Sequence, residues 1–213
     1  MLYGQLPVDL GVFNLNSVPE MMFVQYIPIK MANCGVSVKT PPHLRCFNGI
    51  IRKILCDYVG EFGIDELCES YVYLTAKRMW QDGQSQFNRL GWHSDGFMTS
   101  DINYIWSDKD PTVFNRTKMD LTQDDNISMK EMEQKAVPEL DIIYPNNSIL
   151  RLNQYVVHRV NPNPTSGMRT FIKVSFSKDK YDLEGNAHNY EFDYNWPMRS
   201  RSVERNIPQS DLK

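Results

Sequence analysis

From residue 70 onward the chain is a succession of short β-forming runs, and that succession constrains the fold more than any other feature. Tyr71–Trp80 is rich in aromatic and β-branched residues. Further runs follow at Phe87–His93, Ile102–Trp106, Leu140–Tyr144, Ser148–Leu152, Tyr155–Val160 and Thr170–Phe176. Turn-forming clusters part them, at Gln81–Ser85, Pro145–Asn147 and Asn161–Pro164. The reading is of a mainly β region in which an antiparallel barrel can bring distant strand positions together.

The first seventy residues differ. Residues 1–40 carry Pro7, Pro19, Pro28 and the apolar run Met21–Ile27, which predicts one or two strands with turns. Over 43–58 the apolar residues Leu44, Phe47, Ile50, Ile51, Ile54, Leu55 and Tyr58 fall at helical spacing. Pro41 and Pro42 precede this helix and Gly60 is expected to end it. A helix with one apolar stripe needs a sheet to lie on. A short second helix is expected near Asp65–Cys68. Residues 115–139 form a polar, acidic insertion, either a solvated loop or a lid, with a capping box at Ser128–Glu131 that predicts a helix starting after Ser128.

With 213 residues and no repeat or linker, one domain over 1–213 is the simplest account. The net charge of -3 gives no general attraction to nucleic acid. No apolar run reaches the ~20 residues that span a bilayer, and the N-terminus lacks the features of a secretory signal, so a cytoplasmic protein is expected. Cys34, Cys46, Cys56 and Cys68 make no C-x-x-C pair and read as reduced, mostly buried thiols rather than ligands.

Two segments carry chemistry. In a strand, residues i and i+2 share a face, so His93 and Asp95 project together, and Gly96 suits a sharp exit. His158 lies 63 residues after Asp95 in a strand of its own. Two imidazoles and one carboxylate can hold a metal while leaving positions open, as in non-heme Fe(II) oxygenases. The same donors bind Zn(II) or Mn(II), which keeps a hydrolase or isomerase open. Arg169, 11 residues beyond His158, offers a fork that matches a carboxylate. Arg159 alternates to the opposite face from His158.

His93-Ser94-Asp95, His158 and Arg169 resemble the H-x-D…H…R signature of the Fe(II)/2-oxoglutarate-dependent dioxygenases. Residues 147–160 are similar to the strand, turn and His-Arg-Val strand that carry the distal histidine in that family. The resemblance covers roughly residues 70–177. It implies an α+β, mainly β fold: a double-stranded β-helix (jelly roll) with the N-terminal helices packed on one sheet. The core is then about 70–177, with strand and helix support from 1–69 and an extension over 178–213.

It further implies that His93, Asp95 and His158 are the catalytic iron ligands and that Arg169 binds 2-oxoglutarate. Some members place a hydroxyl two positions after the arginine, where this chain has Phe171. Tyr73 and Tyr104 are substitutes by residue type. The implied activity consumes O2 and 2-oxoglutarate, releases succinate and CO2, and hydroxylates a C–H bond. The substrate is a small molecule, a protein side chain or a nucleobase. Arg199, Arg201 and Arg205 beside Tyr190, Phe192, Tyr194 and Trp196 speak for nucleic acid. The negative net charge and the acidic insertion speak for a small molecule. The rival outside catalysis is a cupin-like protein that binds a metal or a 2-oxo acid without oxidising anything.

Overall fold

The computed structural model describes residues 2–16, 18, 20–82 and 90–201. Strands β1 (Val8–Val12) and β2 (Met22–Lys30) lead into a 3-10 turn over Pro42–Phe47 and helices α1 (Asn48–Phe62) and α2 (Ile64–Glu69). Then come β3 (Tyr71–Gln81), β4 (His93–Ser94), β5 (Ile102–Ser107) and β6 (Val113–Asn115). Helix α3 (Asp125–Lys135) and a 3-10 turn over Pro138–Leu140 precede β7 (Asp141–Ile143), β8 (Ser148–Leu152), β9 (Val157–Arg159) and β10 (Gly167–Ser177).

The strands form two sheets, and every pairing between them is antiparallel. One has the order β1-β8-β5-β10-β3-β2, the other β4-β9-β6-β7. Alternation along the larger sheet separates two faces. Val72, Leu74, Ala76, Tyr104, Trp106, Ile172, Val174 and Phe176 pack against Ile50, Ile51, Ile54 and Tyr58 of α1. The opposite face carries Ile105, Leu150, Leu152 and Phe171, which meet Phe114 and Val156 of the smaller-sheet region. The larger sheet thus lies between helix and second sheet, and only its inner face is available to a site.

The structure corrects several local expectations. Helix α1 runs through Gly60 and ends at Gly63, whose φ of +90° breaks the helical path. Helix α3 begins before Ser128, because Asp124 is its cap and accepts from the amides of Asn126 and Ile127. Glu131 instead binds Thr122. The strand expected over 87–93 is confined to His93–Ser94 among the described residues, and residues 87–89 lie outside them. None of the cysteines is buried, and Cys34 and Cys56 are exposed. Strand β6 matches none of the expected runs. Among the described residues no helix is long and apolar enough to cross a membrane.

Candidate metal centre

His93 and His158 are register partners across the antiparallel β4–β9 pair. Directly opposed residues hold their side chains together, and the two ring centroids are 4.5 Å apart. Asp95 follows β4 at the sharp exit made by Gly96, which adopts φ +70°. A Cβ on Gly96 would stand 2.9 Å from Thr99 Oγ1 and 3.0 Å from Asp101 Cβ, so the turn that aims Asp95 needs glycine. One donor atom from each of His93, Asp95 and His158 falls within 4.8 Å of the others. His158 Nε2 is 3.7 Å from Asp95 Oδ2.

The donor chemistry fits a metal. His93 Nδ1 is 3.0 Å from the carbonyl of Gly91, and His158 Nδ1 is 3.1 Å from that of Val156. A carbonyl only accepts, so each ring donates from Nδ1 and presents Nε2 as its ligating nitrogen. This is the outer support that ligating imidazoles have in metal proteins. Burial alone would raise the pKa of Asp95, but Lys173, the hydrogen bond with His158 and both imidazoles outweigh it and hold the carboxyl well below its ordinary value. The carboxylate is therefore ionised and ready to ligate.

Lys173, on the inner face of β10, is a site residue that sequence reasoning missed. Its Nζ lies 3.1 Å from Asp95 Oδ2 and donates to the Tyr26 hydroxyl at 2.9 Å. Burial opposes its charge, yet Asp95 and Tyr26 raise its pKa above the ordinary value. A signal for it exists in the strand pattern. Lys173 shares parity with Arg169 and Phe171 on one face of this central strand.

The three donors sit in a cavity of about 610 Å³ between the sheets. Tyr26, Lys77, Phe97, Asn103, Phe171 and Lys173 contribute to its wall. Lys77 pairs in register with Phe171 on this face. Burial, then Lys173 and Arg169, bring its pKa down to about 8. The extension after β10 closes one side through Tyr181, Asp182, Arg199 and Arg201, and Asp125 of α3 reaches the rim. Part of the tail thus lines the cavity while its charged groups stay largely in solvent: Arg199 binds Asp182, Arg201 binds Asn186, and Asn189 binds the carbonyls of Pro28 and Lys39. Arg205 lies outside the described residues.

The other expected binding residues are placed differently. Arg169 shares the inner face of β10 but is not among the residues lining the cavity. Its Nε donates to the carbonyl of Lys109 at 2.9 Å and its guanidinium lies 5.3 Å from the Phe171 ring centroid. Tyr104 faces the helix side of the sheet, where its hydroxyl donates to Asp57 of α1 at 2.7 Å beside Arg151. It cannot reach a ligand in the cavity, because strand alternation turns it away from Asn103 and Ile105. Tyr73 is on the inner face but fully buried, donating to the Asp179 carbonyl and stacked on Tyr181 at 4.1 Å. Arg159 binds Asp141 and lies over Trp92. Among other aromatic side chains, Phe97 lines the cavity, Trp106 is buried on the helix side and Trp80 is exposed.

No family model matches this chain, and no curated protein matches it. Among solved structures it is similar to an oxidoreductase of the 2OG-Fe(II) oxygenase family from Burkholderia pseudomallei, at 12% identity and a TM-score of 0.38. The match covers 71% of this chain and 65% of that one, so the chain spans less than two thirds of that protein's length. At that score the likeness decides nothing about the site, and the functional reading rests on the side chains of the cavity.

Proposed function

We propose that the chain is an Fe(II)- and 2-oxoglutarate-dependent oxygenase, a single catalytic domain of double-stranded β-helix form. The observation that carries this is the donor set: two cross-strand imidazoles presenting Nε2 and an ionised carboxylate, converging within 4.8 Å in a cavity. The strand orders of the two sheets, 8-5-10-3 and 4-9-6-7 over β3–β10, support the jelly-roll form, since successive strands alternate between sheets except at β6 and β7, which pair with each other. His93, Asp95 and His158 would hold the iron, which when bound supplies the O2 chemistry that side chains cannot.

The remaining roles belong to the chain itself. The Gly91 and Val156 carbonyls fix the histidine tautomers. Lys173 keeps Asp95 ionised and oriented. The anionic end of a 2-oxo acid meets Lys77 and Lys173 on the cavity wall, with Arg169 further along the same strand face. Phe97 and Phe171 give the wall its apolar part and exclude water. The cavity's size suits a small organic substrate beside the co-substrate.

The test is anaerobic. Addition of Fe(II) and then 2-oxoglutarate is expected to give a weak visible charge-transfer band, and admission of O2 is expected to release succinate. Asp95→Ala is expected to lose both. Full succinate release by that variant would remove Asp95 from the ligand set.

A further inference from the structure

One arrangement beside the metal centre has no part in binding or orienting the co-substrate. Tyr26 lines the cavity, and its hydroxyl is linked through Lys173 to Asp95. Its φ of +48° is uncommon for a bulky residue, and it sits where the β2–β3 register shifts. From this ring an unbroken file of aromatic side chains runs outward. Tyr181 meets Tyr26 edge-on at 5.0 Å between centroids and stacks on Tyr73 at 4.1 Å with 7° between planes. Tyr71 follows at 5.8 Å, Trp196 at 5.6 Å and Tyr194 at 4.6 Å. The file thus starts at the cavity, passes through the fully buried Tyr73 and ends on half-buried rings near the surface.

Packing alone does not call for this composition. The chain has 10 Phe against 11 Tyr, yet none of the six rings is Phe. Tyrosine and tryptophan are the aromatic side chains that lose one electron most readily, and phenylalanine resists it. Proton handling is also provided. The Tyr181 hydroxyl donates to Asp101 Oδ2 at 2.7 Å, and a carboxylate can take the phenolic proton on oxidation and return it on reduction. Tyr73 donates to a carbonyl, which cannot take its proton, so that ring is a passing step. Lys173, 4.9 Å from the Tyr26 centroid, disfavours positive charge resting at the inner end, and Lys180 does the same more weakly at Trp196, 5.9 Å away, so charge moves outward to the Trp196–Tyr194 pair.

We propose that these six rings are an electron path that drains oxidising equivalents from the metal centre when O2 is activated without substrate in place. The proposal rests on the oxygenase reading. In each transfer one electron leaves Tyr194 and one reaches the oxidised centre. Tyr194 gives one O–H proton to solvent, and one proton enters the cavity from water. O2 is the terminal oxidant, and a one-electron reductant in solution, a thiol or ascorbate, restores the outer phenol. No other bond forms or breaks.

The test uses the full chain loaded with Fe(II) and 2-oxoglutarate, exposed to O2 without substrate in the presence of a nitroso spin trap, with adducts located by peptide mass spectrometry. The wild type is expected to carry adducts at Tyr194 and Trp196. Tyr181→Phe keeps the ring on Tyr73 but removes the oxidisable phenol, and the outer adducts are expected to be lost while Tyr26 becomes labelled. Outer adducts that persist in Tyr181→Phe, or wild-type labelling that stops at Tyr26, overturn the path. A second arm needs no iron. A ruthenium photo-oxidant is attached at Phe23→Cys on the cavity wall, with the four native cysteines changed to serine, and flash-quenched. The same adduct pattern and the same loss in Tyr181→Phe are expected. If no 2-oxoglutarate-dependent band forms on anaerobic loading, before O2 is admitted, the oxygenase reading fails, and the photo-oxidant arm decides the path by the same criterion.

Discussion

Replacing Lys173 by methionine keeps the aliphatic stem and removes the ammonium that partners Asp95. The two side chains are 10% and 22% exposed. Breaking a buried ion pair from one side costs about 3–5 kcal/mol, and the residual exposure of Asp95 places this pair near the lower end, at about 3 kcal/mol. For a chain of this size each kcal/mol moves the melting temperature by about 2–4 °C, so a fall of about 6–12 °C is expected. The pH window is set by the two shifts. Asp95 is held below its unfolded value, so its contribution is present above about pH 4 and fades as pH falls. Lys173 is raised, so its contribution is present below about pH 10 and is lost as pH rises past that. The gap between wild type and Lys173→Met should be flat between those limits and close outside them. Saturating Mn(II) gives Asp95 a replacement cation, so the gap should narrow on metal addition. Urea or thermal unfolding of both proteins, with chelator and with Mn(II), reads all of this. A gap under about 0.5 kcal/mol, the scale of an ordinary surface substitution, would refute the reasoning, as would a gap indifferent to Mn(II).

The geometry yields three other expected outcomes. Affinity for 2-oxoglutarate, measured by calorimetry on the Mn(II) form, should fall as pH rises through about 8, where Lys77 loses its proton, and Lys77→Met should flatten that profile. Tyr104→Phe should leave 2-oxoglutarate affinity unchanged but cost about 1–3 kcal/mol in urea unfolding, because Asp57 loses the hydroxyl that donates to it. Gly96→Ala should lower stability by more than about 1 kcal/mol, since φ +70° is strained for alanine, and should weaken Mn(II) binding by moving Asp95.

Much of the fold is legible because period-two and period-3.6 patterns are local. The stripe through Ile50, Ile54 and Tyr58 and the strand Tyr71–Gln81 need no tertiary information. His93 and Asp95 are likewise readable from strand alternation. The pairing of His93 with His158 is not, because register between strands 65 positions apart depends on the whole sheet. Tyr104 is misplaced by sequence reasoning for a related cause. β5 is buried on both faces, so alternation does not say which face meets the helix. Lys173 is legible by parity but easily missed, because its immediate neighbours Ile172 and Val174 are apolar. The wall built by residues 178–201 is irregular backbone held by side-chain bonds such as those of Asn189, and it has no periodic signature. Cys56 is exposed because it falls off the apolar stripe of α1 through Ile50, Ile54 and Tyr58.

The central claim is that one metal is held by both histidines and Asp95. Pulsed EPR of the chain loaded with one equivalent of Cu(II) counts the coordinated imidazoles through their remote nitrogens. Two imidazoles are expected in the wild type, one in His93→Ala and one in His158→Ala, with both kept but the metal bound more weakly in Asp95→Ala. A wild-type signal with no imidazole coupling, or one unchanged by either histidine substitution, would contradict the account.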